Sequence, residues 1–121
     1  MYVRPDAVVN LHPGYAVVVD AKYKGRIGQD RTELSQADLY ESLAFAQATG
    51  LTEVVLIYPR VPRAGDARSP VGTTTVFEIV AVGGVKVFGA ETEVRGLAET
   101  AGVRNFAKRM SEGIRTAVLG T

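Results

Sequence analysis

Short β-branched runs and longer runs of helical periodicity succeed one another along this chain. Residues 2–10 and 15–23 are apolar and β-branched apart from a few charges, and Leu11-His12-Pro13-Gly14 between them has turn composition. The two runs predict a β-hairpin with His12 exposed in its turn. Over residues 35–49, Leu39, Leu43 and Ala46 recur at helical spacing with Tyr40 and Ala44 alongside, and Gly50 follows as a stop. Ser35 and Asp38 fit a Ser-x-x-Asp cap, which assigns Asp38 to the helix start, and Tyr40 and Phe45 are expected in the core. Residues 53–58 form a continuous apolar run ended by Pro59, the pattern of a strand buried on both faces and parallel to the strand before the helix. Two further strands, 74–82 and 85–94, flank Gly83-Gly84 as a second hairpin. A closing helix over residues 103–119 places Phe106, Met110, Ile114 and Ala117 on one stripe.

Because strand side chains alternate, Arg4, Asp6 and Val8 share one face of the first strand, and Val18, Asp20, Lys22 and Lys24 share one face of the second. Two carboxylates and one or two amines can therefore converge. The opposite faces, with Val3, Ala7 and Val9 on one strand and Val17, Val19, Ala21 and Tyr23 on the other, are expected to be buried. Taken singly, an Asp-x-Lys strand is an ordinary solvated face and a Pro-Asp an ordinary strand start. Together they match what phosphodiester hydrolysis requires. A hard cation such as Mg2+ is held by one or two carboxylates, here Asp6 and Asp20, with water and substrate oxygens completing its shell. A neighbouring ammonium, here Lys22, orients the attacking water and stabilises developing negative charge.

Arg4-Pro5-Asp6-Ala7-Val8-Val9, the Gly14 turn, Val17-Val18-Val19-Asp20-Ala21-Lys22-Tyr23-Lys24 and then Asp38-Leu39-Tyr40 resemble the PD-(D/E)xK nucleases. Within them the similarity is to the McrC-like subunits of 5-methylcytosine-specific, McrBC-type restriction systems, where R-P-D, D-A-K-Y and D-L-Y-Q segments recur in this order. The resemblance covers residues 4–58 and fades afterwards. It implies an α/β fold, a restriction-endonuclease-like mixed sheet flanked by helices, and Mg2+-dependent cleavage of DNA, with Mn2+ as a substitute. It also implies dependence on a GTP-hydrolysing, McrB-like partner. Carried over by motif, Asp6, Asp20 and Lys22 are the catalytic set, and Asp6, Asp20 and the backbone carbonyl of Ala21 hold the metal.

The chain departs from the pattern in two places. Where relatives carry Gln-x-x-x-Tyr in the following helix, it has Glu41 and Phe45, and Gln36 with Tyr40 keeps the spacing one turn earlier, out of register. The usual helix and strand before the Pro-Asp strand are also expected to be lacking. The expectation is therefore a single nuclease-like domain over residues 1–121, a fragment or minimal form of a larger McrC-like protein. An open sheet edge would favour a homodimer.

Composition narrows this little. The formal net charge is +1, so no overall basic field announces nucleic-acid binding. Distribution is more useful: Lys22, Lys24, Arg26 and Arg31 cluster at and after the second strand and, with Arg4, are candidate DNA contacts. Arg60, Arg63 and Arg68 form a second cluster, for which phosphate contact and ordinary loop solvation both stand open. Glu78, Glu91 and Glu93 are read as surface residues, and Lys108, Arg109 and Arg115 as a solvated helix face. The absence of cysteine removes disulfides and thiolate metal sites, and one histidine excludes a histidine-rich zinc site. No apolar run approaches a membrane span, which points to a cytoplasmic protein.

Three functions follow: the endonuclease domain of a modification-dependent restriction system, a stand-alone structure-selective nuclease such as a Holliday-junction resolvase, or an inactive nuclease fold used for assembly or DNA docking. Intact Asp6, Asp20 and Lys22 argue against the last. The D-A-K-Y and D-L-Y segments argue against the second.

Overall fold

A computed structural model describes residues 7–12, 14–22, 33–61, 65 and 67–120. The elements run β1 (Ala7–His12), β2 (Tyr15–Ala21), α1 (Gln36–Thr49), β3 (Glu53–Pro59), β4 (Thr74–Val82), β5 (Val85–Thr92) and α2 (Gly102–Leu119). Among the described residues they form one five-stranded sheet in the order β1-β2-β3-β5-β4. Strands β2, β3 and β5 are parallel, and antiparallel β1 and β4 close the two edges. This is an α/β fold with a mixed sheet flanked by helices, and nothing in it conflicts with a restriction-endonuclease-like arrangement.

Each face of the sheet carries one helix. Under α1, Phe45 and Ala46 pack with Val18, Val54, Leu56, Tyr58 and Val87. Under α2, Ile114 and its neighbours Met110 and Ala117 meet Val17, Val19, Val55, Ile57 and Phe88. The central position of β2 corrects the one-sided burial expected for it: Val17, Val18, Val19 and Asp20 are all buried, while Ala21, expected inside, is exposed. On edge strand β1 the expected inner residues Ala7 and Val9 are exposed too, and Val8 on the other face is 51% exposed. His12 is the last residue of β1, not a turn residue, and the ladder shifts register between Asn10 and His12.

Ser35 caps α1, its hydroxyl accepting from the Asp38 amide at 3.1 Å, and Gly50 ends the helix in the left-handed conformation. Ser35→Ala is expected to cost about 1 kcal/mol, measured by denaturant unfolding. Phe45 is in the core as expected. Tyr40 is not: Leu39, Ser42, Phe45 and Ala46 set the inward side of α1, and Tyr40 turns outward, 63% exposed, where Gln36 donates to its hydroxyl at 3.0 Å.

In the second hairpin, Val76 pairs with Ala90 but Glu78 with Gly89, so Phe77 is an extra residue, a β-bulge. The bulge turns both Phe77 and Glu78 toward the α1 side. The Phe77 ring lies 5.7 Å from that of Tyr58, and the Glu78 carboxylate accepts from the Leu34 amide at 2.6 Å. Glu78 is thus a half-buried tether, not the surface residue expected. Gly89 makes room: a Cβ there would stand 2.7 Å from both Leu34 and Phe77 side chains.

Candidate active site

The parallel strands β2, β3 and β5 end on one side of the sheet, the edge where open α/β sheets place their ligands. Asp20 lies at that end of β2, in register with Leu56, and Lys22 extends the ladder by donating its amide to the Ile57 carbonyl at 2.7 Å. Alternation puts Val18, Asp20 and Lys22 on one face, as the sequence predicts, and that face is the one covered by α1. Asp20 is 6% exposed, and its Oδ2 is 2.9 Å from the Lys22 Nζ.

Lys22 holds more than Asp20. Its ammonium also donates to Glu41 and comes within 4.0 Å of Asp38 Oδ1. Asp38 and Glu41 are three residues apart on α1, so they share one helix face. The other Asp38 oxygen accepts from the Tyr58 hydroxyl of β3. Asp38 therefore serves twice: its amide meets the Ser35 cap, and its carboxylate belongs to the site. Assigning it to the cap alone captured half of its role. Glu41, where the resembled family has glutamine, binds Lys22, so the helix contributes to the site despite the substitution. Phe45, at the position of the family tyrosine, is committed to the core.

Burial opposes the charge on Lys22, but the hydrogen bonds and fields of Glu41 and Asp20 outweigh it and raise the pKa above 10.5. The group is an ammonium at neutral pH, suited to stabilise anionic charge and unsuited to act as a base. With its folded pKa raised, its contribution to stability is complete below about 10.5 and is lost only above that value.

Arg4, Asp6, Lys24, Arg26, Arg31 and Arg63 lie outside the described residues, as do Val3 and Tyr23 of the expected inner faces. Of the metal-binding set the structure thus describes Asp20 and Ala21. Ala21 pairs with Ile57 at the end of β2. Among the described residues, no three carboxylate or imidazole groups are gathered closely enough to hold a metal by themselves. The donor chemistry nonetheless fits a hard cation. Asp20, Asp38 and Glu41 offer carboxylate oxygens around one ammonium, and Mg2+ takes one or two carboxylates with water in its other positions.

At the adjoining ends of β3 and β5, Glu93 is fully buried, a correction to its expected surface position. Arg95 grips it with two donors, Nη2 to Oε1 at 2.5 Å and Nε to Oε2 at 3.0 Å, and the amides of Ser69 and Arg95 add weaker bonds at 3.3 Å. The Arg95 hydrogen bonds outweigh burial and lower its pKa from 4.5 to about 2. Arg60 extends the β3–β5 ladder through its amide to the Thr92 carbonyl at 2.9 Å, and its guanidinium donates to Ser69 at 2.7 Å. Glu91 is half-buried, opposite Tyr58. Of the remaining cations, Arg68 pairs with Glu99 at 2.7 Å. On α2, half-buried Arg109 donates to the Val71 carbonyl and fastens the helix down where a solvated face was expected, whereas Lys108 and Arg115 are exposed as expected, Arg115 reaching the Leu11 carbonyl from the surface.

Residues 1–59 match the family of the McrBC 5-methylcytosine restriction system component. This segment holds β1, β2, α1 and β3, with Asp20, Lys22, Asp38 and Glu41. It is similar to a component of a restriction system, in agreement with the resemblance carried by its motifs. No curated protein and no solved structure matches the chain. No helix among the described residues is long and apolar enough to cross a membrane.

Proposed function

We propose that this chain is the nuclease part of a modification-dependent restriction subunit, a Mg2+-dependent DNA endonuclease of the PD-(D/E)xK type that works with a GTP-hydrolysing, McrB-like partner. The observation that carries this reading is the buried Asp20 beside Lys22 on one face of an interior strand, at the edge of the mixed sheet where its three parallel strands end. The match of residues 1–59 supports the restriction context.

Asp6, Asp20 and the Ala21 carbonyl would hold Mg2+, with Mn2+ as a substitute. The metal would neutralise the phosphate and lower the pKa of a bound water. Asp20 is fixed before any ligand arrives, because its strand is packed on both faces. Lys22 presents a permanent positive charge to the attacked phosphate, where negative charge grows as the phosphorus–oxygen bond to water forms. Glu41 and Asp38 hold the ammonium in place, and the Tyr58 hydroxyl in turn orients Asp38.

The test incubates the protein with Mg2+ or Mn2+ and linear, methylated or four-way-junction DNA, with and without a GTPase partner, beside Asp20→Asn. Metal-dependent cutting abolished by Asp20→Asn is expected. Cutting that persists in that variant would overturn the site, and cutting confined to junctions without a partner would favour a resolvase.

A further inference from the structure

The Lys22 ammonium is shared among three carboxylates set at different depths. The side chain of Asp20 is 9% exposed, that of Asp38 27% and that of Glu41 43%. Two of them are held independently of Lys22. Asp20 belongs to a strand packed on both faces, and Asp38 accepts from the Tyr58 hydroxyl and stands in the first turn of α1, where the helix favours a negative charge. Glu41 differs from both. It lies one turn further along α1, and among the described residues its side chain bonds to Lys22 alone. As the most exposed of the three, it is the partner that an anion arriving from solvent meets first. An ion pair open to water is screened and contributes little, so its exchange costs little. Carboxylate and phosphate also present the same chemistry to an ammonium, anionic oxygens that accept its N–H donors.

We propose that Glu41 is an internal competitor of the DNA phosphate: in the free protein its carboxylate occupies the outer side of the Lys22 ammonium, and it turns into solvent when a phosphate takes its place. The inference rests on the active-site reading above. Asp20 keeps its hold on Lys22 through the exchange, so the ammonium meets the phosphate without losing its position. Glutamine at position 41, as in the resembled family, would keep an oxygen acceptor but bring no charge to the contest. A carboxylate there weakens contact with every duplex alike, because phosphate carries no base identity. Cutting then depends more heavily on whatever else brings DNA to the site, which suits a subunit whose target is chosen elsewhere.

The test measures binding apart from cutting, by fluorescence anisotropy of a short labelled duplex with Ca2+ in place of Mg2+, since Ca2+ takes the same kind of oxygen donors. A gel of the recovered duplex confirms that it stays whole. Glu41→Gln is expected to bind the duplex roughly 1.5–5-fold more tightly than the parent, the gain from no longer having to break an exposed ion pair. Removing a negative charge favours DNA at any position, so the same substitution is also made in Lys22→Ala. There most of the gain is expected to vanish, because no ammonium remains to be contested. Thermal melting confirms that each variant is folded. Equal gains in the two backgrounds would reveal a general charge effect and overturn the proposal, as would Glu41→Gln binding no better than the parent, or a duplex that none of the proteins binds. If Glu41→Gln binds like the parent while Asp20→Asn stops cleavage, the competition fails and the active site stands. If the Lys22-dependent gain is found but no DNA is ever cut, the active-site reading fails and the competition stands.

Discussion

Lys22→Ala is expected to slow DNA cleavage by about 10²–10³-fold, the usual effect of removing one preorganised group that stabilises developing charge. The same variant is expected to bind Mg2+ several-fold more tightly. The reason is the position of the ammonium, 2.9 Å from Asp20, bonded to Glu41 and 4.0 Å from Asp38. A divalent cation approaching these carboxylates meets a positive charge already among them, and like charges at such separations repel appreciably in a partly buried site. Alanine removes that repulsion and leaves the oxygen donors. Calorimetric titration with Mg2+ separates binding from turnover. A lysine that merely braced the strand would give weaker metal binding together with weaker cleavage, and that outcome would remove Lys22 from the catalytic role.

Glu93→Ala is expected to lower stability by about 3 kcal/mol, the lower end for breaking a buried ion pair, because Arg95 is one third exposed and stays partly hydrated. For a domain of this size the melting temperature falls by about 10 °C. The pH dependence follows from the sign of the Glu93 pKa shift. The folded pKa lies below the unfolded one, so the contribution is complete above about 4.5 and is lost as pH falls toward 2. Glu93→Gln should therefore flatten the stability profile across that interval. A variant retaining the parent's acid slope there would show that other carboxylates set it.

The periodicities made most elements legible. The helices, the buried β3 and both hairpins stand within a few residues of the sequence pattern, because apolar spacing reports which side of an element is covered. That spacing says nothing about an element's place in the sheet. Val17, Val19, Ala7 and Val9 look alike in sequence, yet the first two are buried in a central strand and the last two are exposed on an edge. The candidate site was legible where its residues are neighbours, as Asp20 and Lys22 are. Its other members are carried by distant segments. Asp38 and Glu41 meet Lys22 only because α1 crosses over β2, and their three-residue spacing was the available signal. Glu93 was misplaced because a charge near a strand end resembles a surface residue until its arginine is known to fold back two positions later.

The extra residue at Phe77 divides the second hairpin into two stretches that obey different rules of parity. Before it, alternate positions of β4 face one helix, and beyond it the same count selects the other. A relative lacking that residue could retain every apolar position of β4 and still be misaligned. Its homologous positions would have to be matched separately on each side of Phe77, with the gap placed at the bulge and not in the Gly83-Gly84 turn, where insertions are usually assigned.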